Sequence, residues 1–448
     1  MENITVEIIL ELLSSKKYHE LKEILNEMNS ADIAAIFEEL PKTSHPLLFR
    51  ILAKELAAEV FVELDPDTQE LLIEGFSDTE LREVLDELYI DDTVDIIEEM
   101  PANVVKRILM HSDVEARTII NQILNYPKDS AGSIMTTEFI DLKVNMTVED
   151  AFTRIRRIAI DKETIYTCYV IDRNRKLIGL VSVKDLLLSD YSCTIEEIME
   201  TNVISVYTVD DKEEVAHKFS KYDFLALPVV DREERLVGIV TVDDAIDVIQ
   251  EENTEDIEKM AAITPSDRPY IQTGVFETWK NRVPWLMLLM LSSTFTAKII
   301  GGYETQLATC AVLTTFIPMF MGTAGNAGSQ TSVAIIRALS LNEIDLRDIF
   351  RIMGKEILVA ILCGISLFIV NFLKLVFLDK VDIMVSMVVS LTLLSTVVLA
   401  KFTGCILPML AKRVGFDPAV MASPFITTIV DAMSLVLYFN IAVLVLGI

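Results

Sequence analysis

Histidine is scarce in this chain, and its distribution excludes one class of chemistry. His19, His45, His111 and His217 are dispersed through the front half, and none lies in the apolar back half. An imidazole cage for a soft metal is therefore excluded there. Cysteine is no better placed. Cys168, Cys193, Cys310, Cys363 and Cys405 show no CxxC spacing. That excludes a disulfide framework and a thiolate metal site, and it fits a reducing compartment for the front half. No G-x-S-x-G, HExxH or P-loop string occurs, so an enzyme is not expected. The start, "MENITVEIILELLSSKK", lacks a basic n-region and a cleavage site, so no signal peptide is expected.

Positive charge is the next shortage. Of 39 Lys/Arg and 68 Asp/Glu, the stretch from Lys280 onward holds 12 and 9, which leaves 27 basic against 59 acidic residues before it. The front carries a net charge of -32 and the back is nearly neutral. Phosphate would be repelled, so nucleic acid is not a partner. The asymmetry reads as an acidic cytosolic body joined to a membrane domain.

Residues 1–130 show only helical periodicity, as in Ile33, Ile36, Phe37 and Leu40. "ADIAAIFEELP" (Ala31–Pro41) and "DDTVDIIEEMP" (Asp91–Pro101) resemble each other at a spacing of 60 residues. This predicts an all-α superhelical N-terminal domain. Residues 131–250 alternate short strands with helices and repeat internally. "GLVSVKD" (Gly179–Asp185) and "GIVTVDD" (Gly238–Asp244) lie 59 residues apart, each after a strand and a charged turn. The pair resembles tandem α/β CBS domains. That resemblance implies adenine-nucleotide contacts at Ser182, Asp185, Thr241 and Asp244, with ATP as the ligand. The same Asp residues also fit a plain helix-capping role. Residues 251–282 form a polar connector.

Residues 283–448 contain five apolar stretches of spanning length: Val283–Ile300, Thr305–Gly322 with a continuation past Gly328, Met353–Leu378, Val381–Leu410 and Pro418–Gly447. Lys280, Arg282, Arg337, Arg347, Arg351, Lys355, Lys412 and Arg413 fall on one side, which places the acidic front in the cytosol and the C-terminus outside. Two places carry polarity at membrane depth. "PMFMGTAGNAGSQTSVAIIRAL" (Pro318–Leu339) has a proline, three glycines and the amides of Asn326 and Gln330. It predicts a helix broken around a cavity, or small residues for close packing. On the last stretch Ser423, Thr427, Asp431, Ser434 and Tyr438 share one helical face. A polar stripe centred on a carboxylate fits a water-filled path, and an ion pair with Lys401 or Lys298 is the alternative.

With these strings in hand, the whole chain resembles the MgtE family of magnesium channels. The resemblance rests most on "PMFMGTAGNAGSQ" (Pro318–Gln330) and "DPAVMASPFITTIVDAMS" (Asp417–Ser434). It implies a homodimer in the cell membrane, with the pore between two five-helix transmembrane domains. It implies an ion filter at Asp431, pore-lining positions at Ser423 and Thr427, and a plug role for the connector. Family members carry Asn where this chain has Ser423. Mg²⁺ is expected as both substrate and regulator: it prefers oxygen ligands and keeps its water. Acidic residues spaced to bind it between facing lobes are Asp91, Asp95, Asp244, Asp247, Glu251, Glu252, Glu255 and Asp256. The resemblance adds Glu59, Glu213, Asp223 and Asp417. The competing expectation is a CBS-regulated transporter of another divalent cation, Co²⁺ or Mn²⁺.

Overall fold

The computed structural model describes residues 6–266, 270, 273–421 and 423–447, apart from the side chains of Asp161 and Ser423. The chain divides into two units, Met1–Ile249 and Gln250–Ile448.

The first unit begins with helices α1 (Val6–Ser14) through α10 (Val114–Ile123). They stack as an array: α3 (Ser30–Glu39) on α5 (Lys54–Val62), α5 on α7 (Asp78–Leu85), and α7 on α9 (Ala102–His111). The prolines set the register. Leu40 and Met100 cap α3 and α8 (Ile90–Glu99) in extended conformation, because Pro41 and Pro101 forbid a helical residue before them. The two similar strings thus end their helices in the same way. Asp65, Ser77 and Asp113 accept backbone N–H groups at the next helix starts.

Two three-stranded sheets follow. In the first, β1 (Ile140–Lys143) pairs in parallel with β2 (Thr167–Ile171), which pairs antiparallel with β3 (Leu177–Ser182). In the second, β4 (Val206–Tyr207), β5 (Ala226–Val230) and β6 (Leu236–Thr241) repeat that order. Helices α11 (Val148–Ile158), α12 (Val183–Leu188), α13 (Ile195–Ile198) and α14 (Lys212–Tyr222) complete the pair. The repeated glycine of the two strings has a physical cause. The chain leading into one repeat crosses the other repeat's sheet: Thr136 bridges Ile239, and Glu200 bridges Leu180. A methyl at Gly238 would meet the Thr136 carbonyl at 2.7 Å, and one at Gly179 would meet that of Glu200 at 3.0 Å. One hydrophobic core runs from Ile9 to Val248 and joins the helical array to the second repeat.

Helix α15 (Val242–Met260) leads into the second unit. That unit holds α16 (Val275–Gly302), α17 (Glu304–Thr309), α18 (Ile317–Ser340), α19 (Ile349–Leu373), α20 (Ile383–Val414) and α21 (Ser423–Leu446). Among the described residues, four helices are long and apolar enough to cross a membrane: Val275–Gly302, Leu346–Leu378, Ile383–Val414 and Pro418–Leu446. The expected second span is arranged differently. Thr305–Gly322 is not one helix. It is interrupted by Cys310 and a 3₁₀ turn at Ala311–Phe316, and α18 then runs unbroken through Gly322, Gly325 and Gly328. Pro318 lies in the first turn of α18, where its missing N–H is not needed, so it starts the helix rather than breaking it.

The glycines serve contact instead. Helix α18 packs on both α20 and α21, and α20 also meets α19. A methyl at Gly328 would meet the Ile426 side chain at 2.9 Å, and one at Gly404 would land on the Gly328 carbonyl. Backbones approach this closely only where side chains are absent. Half of the α20 span is buried against 6% of the α16 span, so α20 is the centre of this bundle.

The packing yields a test. Gly404→Ala pushes a methyl into backbone that cannot turn away, and should cost about 1–3 kcal/mol. Gly354 has nothing within 4 Å of that position, so Gly354→Ala should be neutral or stabilising. Thermal melts of the two variants in detergent would check this: equal melting temperatures would contradict the contact.

Candidate functional site

Acidic side chains stand out in each unit, a single carboxylate in the membrane unit and a cluster in the first unit. A cavity of about 640 Å³ is lined by Met321, Gly322, Gly325, Asn326, Ser329, Gln330 and Val333 of α18 and by Thr427 and Asp431 of α21. Helix α18 therefore has two faces. Ala324, Ala327, Gly328 and Thr331 are buried in the bundle, while Asn326 and Gln330 are exposed on the cavity side. The lining donors are amide, hydroxyl and carboxylate groups, with no imidazole or thiol.

Asp431 sets the charge of this cavity. Its Oδ1 is shut off from solvent and has no hydrogen-bond partner among the described residues. Neither lysine proposed as its mate pairs with it. Lys401 is buried, and its Nζ donates to Thr331 Oγ1 at 3.2 Å, while that hydroxyl donates to Glu356 Oε2 at 3.2 Å. Lys298 is exposed on α16. The polar stripe is shorter than its spacing implied. Thr427 and Asp431 reach the cavity. Ser434 is buried and donates to the Asp431 carbonyl at 2.8 Å, and Tyr438 is buried and donates to the Leu313 carbonyl at 2.9 Å. The 3₁₀ segment Ala311–Phe316 supplies that carbonyl, and it covers the face that periodicity alone leaves open. Ser423 begins α21, and its side chain lies outside the described residues.

The cluster lies in the first unit. Carboxylate oxygens of Asp91, Glu138 and Glu163 all lie within 4.8 Å of one another. Asp91 sits in the first turn of α8 and is buried, while Glu138 and Glu163 come from irregular segments before β1 and β2. The Ile90 N–H donates to Glu138 Oε2 at 3.2 Å, which ties α8 to the CBS pair. Glu163 Oε2 is buried without a hydrogen-bond partner. Asp92 and Asp244 stand close by. Asp91, Asp92, Glu163 and Asp244 form no ion pair among the described residues.

Burial and mutual repulsion have the expected effect. Burial, then the charges of Asp91 and Asp92, push the Glu163 carboxyl up to about 9. Burial, then Asp244 and Asp243, push Asp92 up to about 7. Asp91 and Asp244 are raised for the same reasons. A hard divalent ion fits an all-oxygen set with a buried, unsatisfied oxygen facing its neighbours.

The other expected residues are scattered. Asp95 is the exception: its side chain is exposed at the surface of α8, yet crowding by the surrounding protein, then the charges of Asp244 and Asp91, push its carboxyl up to about 8, which places it beside the Asp91 group. Glu59 is exposed on α5, and Asp247 and Glu251 are exposed on α15. Glu213 pairs with His217 at 3.6 Å, and Asp223 ends α14 in a left-handed conformation. Glu252 and Asp256 are half-buried on α15. Glu255 and Asp417 are brought together, but by a lysine: Lys259 Nζ lies 2.5 Å from Glu255 and 2.7 Å from Asp417. Ser182 and Thr241 donate to Asp185 and Asp244 at 2.5 Å, which makes each pair the cap of the helix that follows. Glu138 and Glu163 are not singled out by the sequence, because they lie in irregular segments with no periodicity.

Comparison with known proteins gives three matching family models. The MgtE divalent cation transporter model covers residues 317–441, the MgtE intracellular N domain covers 28–129, and CBS domains cover 131–190 and 195–251. The magnesium transporter MgtE of Thermus thermophilus is 37% identical over 100% of this chain and 99% of its own length. That of Bacillus subtilis is 32% identical over 97% and 96%. A crystal structure of the cytosolic domain of the Mg²⁺ channel MgtE in complex with ATP matches 55% of this chain and all of its own, at 38% identity and a TM-score of 0.52.

The raised carboxyls make stability depend on pH. The folded chain keeps protons on them that the unfolded chain releases near pH 4. Their contribution is thus full below about pH 4 and is lost as pH rises through the folded values of about 7 to 9. In chelator, the melting temperature of the full chain should fall by about 4 °C or more between pH 6 and pH 8.5. Millimolar Mg²⁺ should restore it at pH 8.5 and do little at pH 5, and Asp91→Asn should flatten the profile. A Mg²⁺ effect of equal size at both pH values would contradict this.

Proposed function

The chain belongs to the MgtE family of magnesium transporters, and from that premise we propose that the Asp431 cavity is one half of a Mg²⁺ path completed by a second copy of the chain. The transported ion is Mg²⁺, and the chain is a multi-pass membrane protein. The observation that carries the proposal is the solvent-shut, unpartnered Oδ1 of Asp431 beside the Asn326 and Gln330 amides. Facing Asp431 carboxylates of two subunits repel unless a cation lies between them. A hydrated Mg²⁺ meets that need: the carboxylates supply charge, and the amides and hydroxyls of Asn326, Gln330 and Thr427 accept from or donate to its water shell. In this reading α18 is a fifth spanning helix, despite the polar residues that lower its hydropathy. The basic loops place the acidic unit in the cytosol and the C-terminus outside. An inside-negative potential then favours entry of a divalent ion by about 4.6 kcal/mol per 100 mV, so passive flux suffices.

The first unit is the regulator in this reading. The group of Asp91, Asp92, Glu138, Glu163 and Asp244 binds Mg²⁺ from the cytosol, with Asp95 and Asp247 of the same unit as further ligands. Glu59, Glu213 and Asp223 of the first unit, and Glu252, Glu255, Asp256 and Asp417 of the second, are the remaining proposed sensor positions. An ion in the Asp91 group relieves repulsion within the lobe and favours its compact form, with the 251–282 connector acting as the plug. Adenine nucleotide is proposed for the Ser182–Asp185 side of the CBS pair, where Asp185 is exposed. The Thr241–Asp244 side is less suited, because phosphate would meet the acidic group. The ATP complex of the related cytosolic domain supports adenine nucleotide as a ligand.

Asp431→Asn keeps the shape of the side chain and removes its charge. Mg²⁺ uptake into liposomes should fall at least about 100-fold, with the melting temperature and assembly state unchanged. Uptake at the parent rate would end the assignment of Asp431 to the path.

A further inference from the structure

The acidic pattern marks Glu255, and the family resemblance Asp417, as divalent ligands, but in the structure an ammonium group lies between them. We propose that Lys259 is a tethered counter-cation that locks the end of α15 to the turn before the pore helix α21, without any bound divalent ion. The proposal rests on the gating reading above for its functional meaning, but the contact is independent of it.

The geometry is a two-pronged lock within one unit. Lys259 Nζ is 2.5 Å from Glu255 Oε1, one turn earlier on α15, and 2.7 Å from Asp417 Oδ2. Glu N-terminal to Lys at i, i+4 is the favoured orientation on a helix. The lysine side chain is only 24% exposed, so solvent screens this ion pair less than a surface one. Asp417 is held by its other oxygen as well: Oδ1 accepts the Ala419 N–H at 2.7 Å, capping the turn Pro418–Met421 that precedes α21. The carboxylate that receives Lys259 thus also shapes the entry to the helix carrying Asp431. Burial alone would lower the ammonium, but the hydrogen bonds of Asp417 and Glu255 outweigh it and raise Lys259 above its ordinary value.

Apolar and backbone contacts fix the same point. Met260 packs against Ile336 of the cavity helix α18 and against Ala419. The chain then reverses at Ala262, whose φ of 55° is a left-handed conformation that alanine seldom adopts. The Ile263 N–H returns to the Glu258 carbonyl, the Ser266 N–H donates to Glu258 Oε2 at 3.1 Å, and the Thr264 N–H donates to the Asn281 carbonyl. The lock, the apolar contact and the tied turn together seat the end of α15 on the membrane unit.

One ammonium against two carboxylates leaves a net charge of -1. A divalent ion on the same oxygens must displace Lys259, and it then does the same job with one more positive charge. The lock therefore has two interchangeable occupants, one built in and one recruited.

The test uses the full-length chain in nanodiscs, with protease cleavage within 251–282 as the readout. Lys259→Met keeps the stem and removes the charge, and Lys259→Arg keeps the charge. In chelator, Lys259→Met should be cleaved about tenfold faster than the parent, and Lys259→Arg at the parent rate. Millimolar Mg²⁺ should return Lys259→Met to the parent rate, whereas Asp417→Asn should stay fast. Lys259→Gln serves as a second charge-free variant should the Met variant fail to assemble. Parent-rate cleavage of an assembled charge-free variant in chelator overturns the lock, and so does a fast rate that Mg²⁺ does not reverse. Failure of the gating reading would look different: Mg²⁺ would leave flux through the parent protein unchanged, while the comparison in chelator still decides the lock.

Discussion

A carboxylate taken out of water needs a positive charge, a proton or a hydrogen-bond donor close by, because low-dielectric surroundings penalise the bare anion. This chain places carboxylates under that constraint in each unit and answers it differently each time. Asp431 has an oxygen sealed from solvent with no hydrogen-bond partner among the described residues. Asp91, Glu138 and Glu163 converge within 4.8 Å, and Asp91 and Glu163 hold their protons to unusually high pH. Glu255 and Asp417 are satisfied by Lys259, and Glu356 is linked through Thr331 to Lys401. Where the chain supplies its own cation, the contact is fixed. In the proposed reading an exchangeable Mg²⁺ acts at the other two places, so that transport and sensing share one electrostatic cause.

The scaffold serves to hold those carboxylates at their positions. Gly328 and Gly404 bring α18 and α20 into backbone contact. Helix α18 can then bury its small-residue face and turn Asn326 and Gln330 toward the cavity shared with Asp431. In the first unit, Gly179 and Gly238 let each CBS repeat lie across the other. That crossing carries Glu138 past α8, where the Ile90 amide holds it beside Asp91. A glycine in a repeated string and a carboxylate site are thus parts of one arrangement.

Much of this was legible in the sequence. The repeated strings ending in Asp185 and Asp244 mark both strand-to-helix junctions, and the charge asymmetry, counted from Lys280, marks an acidic front and a nearly neutral back. The proline-terminated strings at Pro41 and Pro101 marked equivalent helix ends. Helical spacing brings Thr427 and Asp431 onto one face, but it extends that face too far: Tyr438 is taken up by the Leu313 carbonyl of the segment Ala311–Phe316, and Ser434 by the backbone of its own helix. The glycines of α18 fit either a break or close packing by sequence, and their surroundings make them a contact. Glu138 and Glu163 lie in irregular chain, which carries no spacing rule, and only tertiary structure brings them to Asp91. Lys259 was invisible as a lock for the same reason: Asp417 is distant in sequence.

The central claim is that uncompensated acidic groups of the first unit sense the ion that passes Asp431. The direct measurement is Mg²⁺ flux in oriented proteoliposomes, with Mg²⁺ set independently on the face that carries the first unit. Flux driven from the opposite face should fall steeply as Mg²⁺ on that face rises into the millimolar range, and Asp91→Asn with Glu163→Gln should weaken the fall. Flux that stays constant across the range, in a protein that still conducts Mg²⁺, would contradict the account.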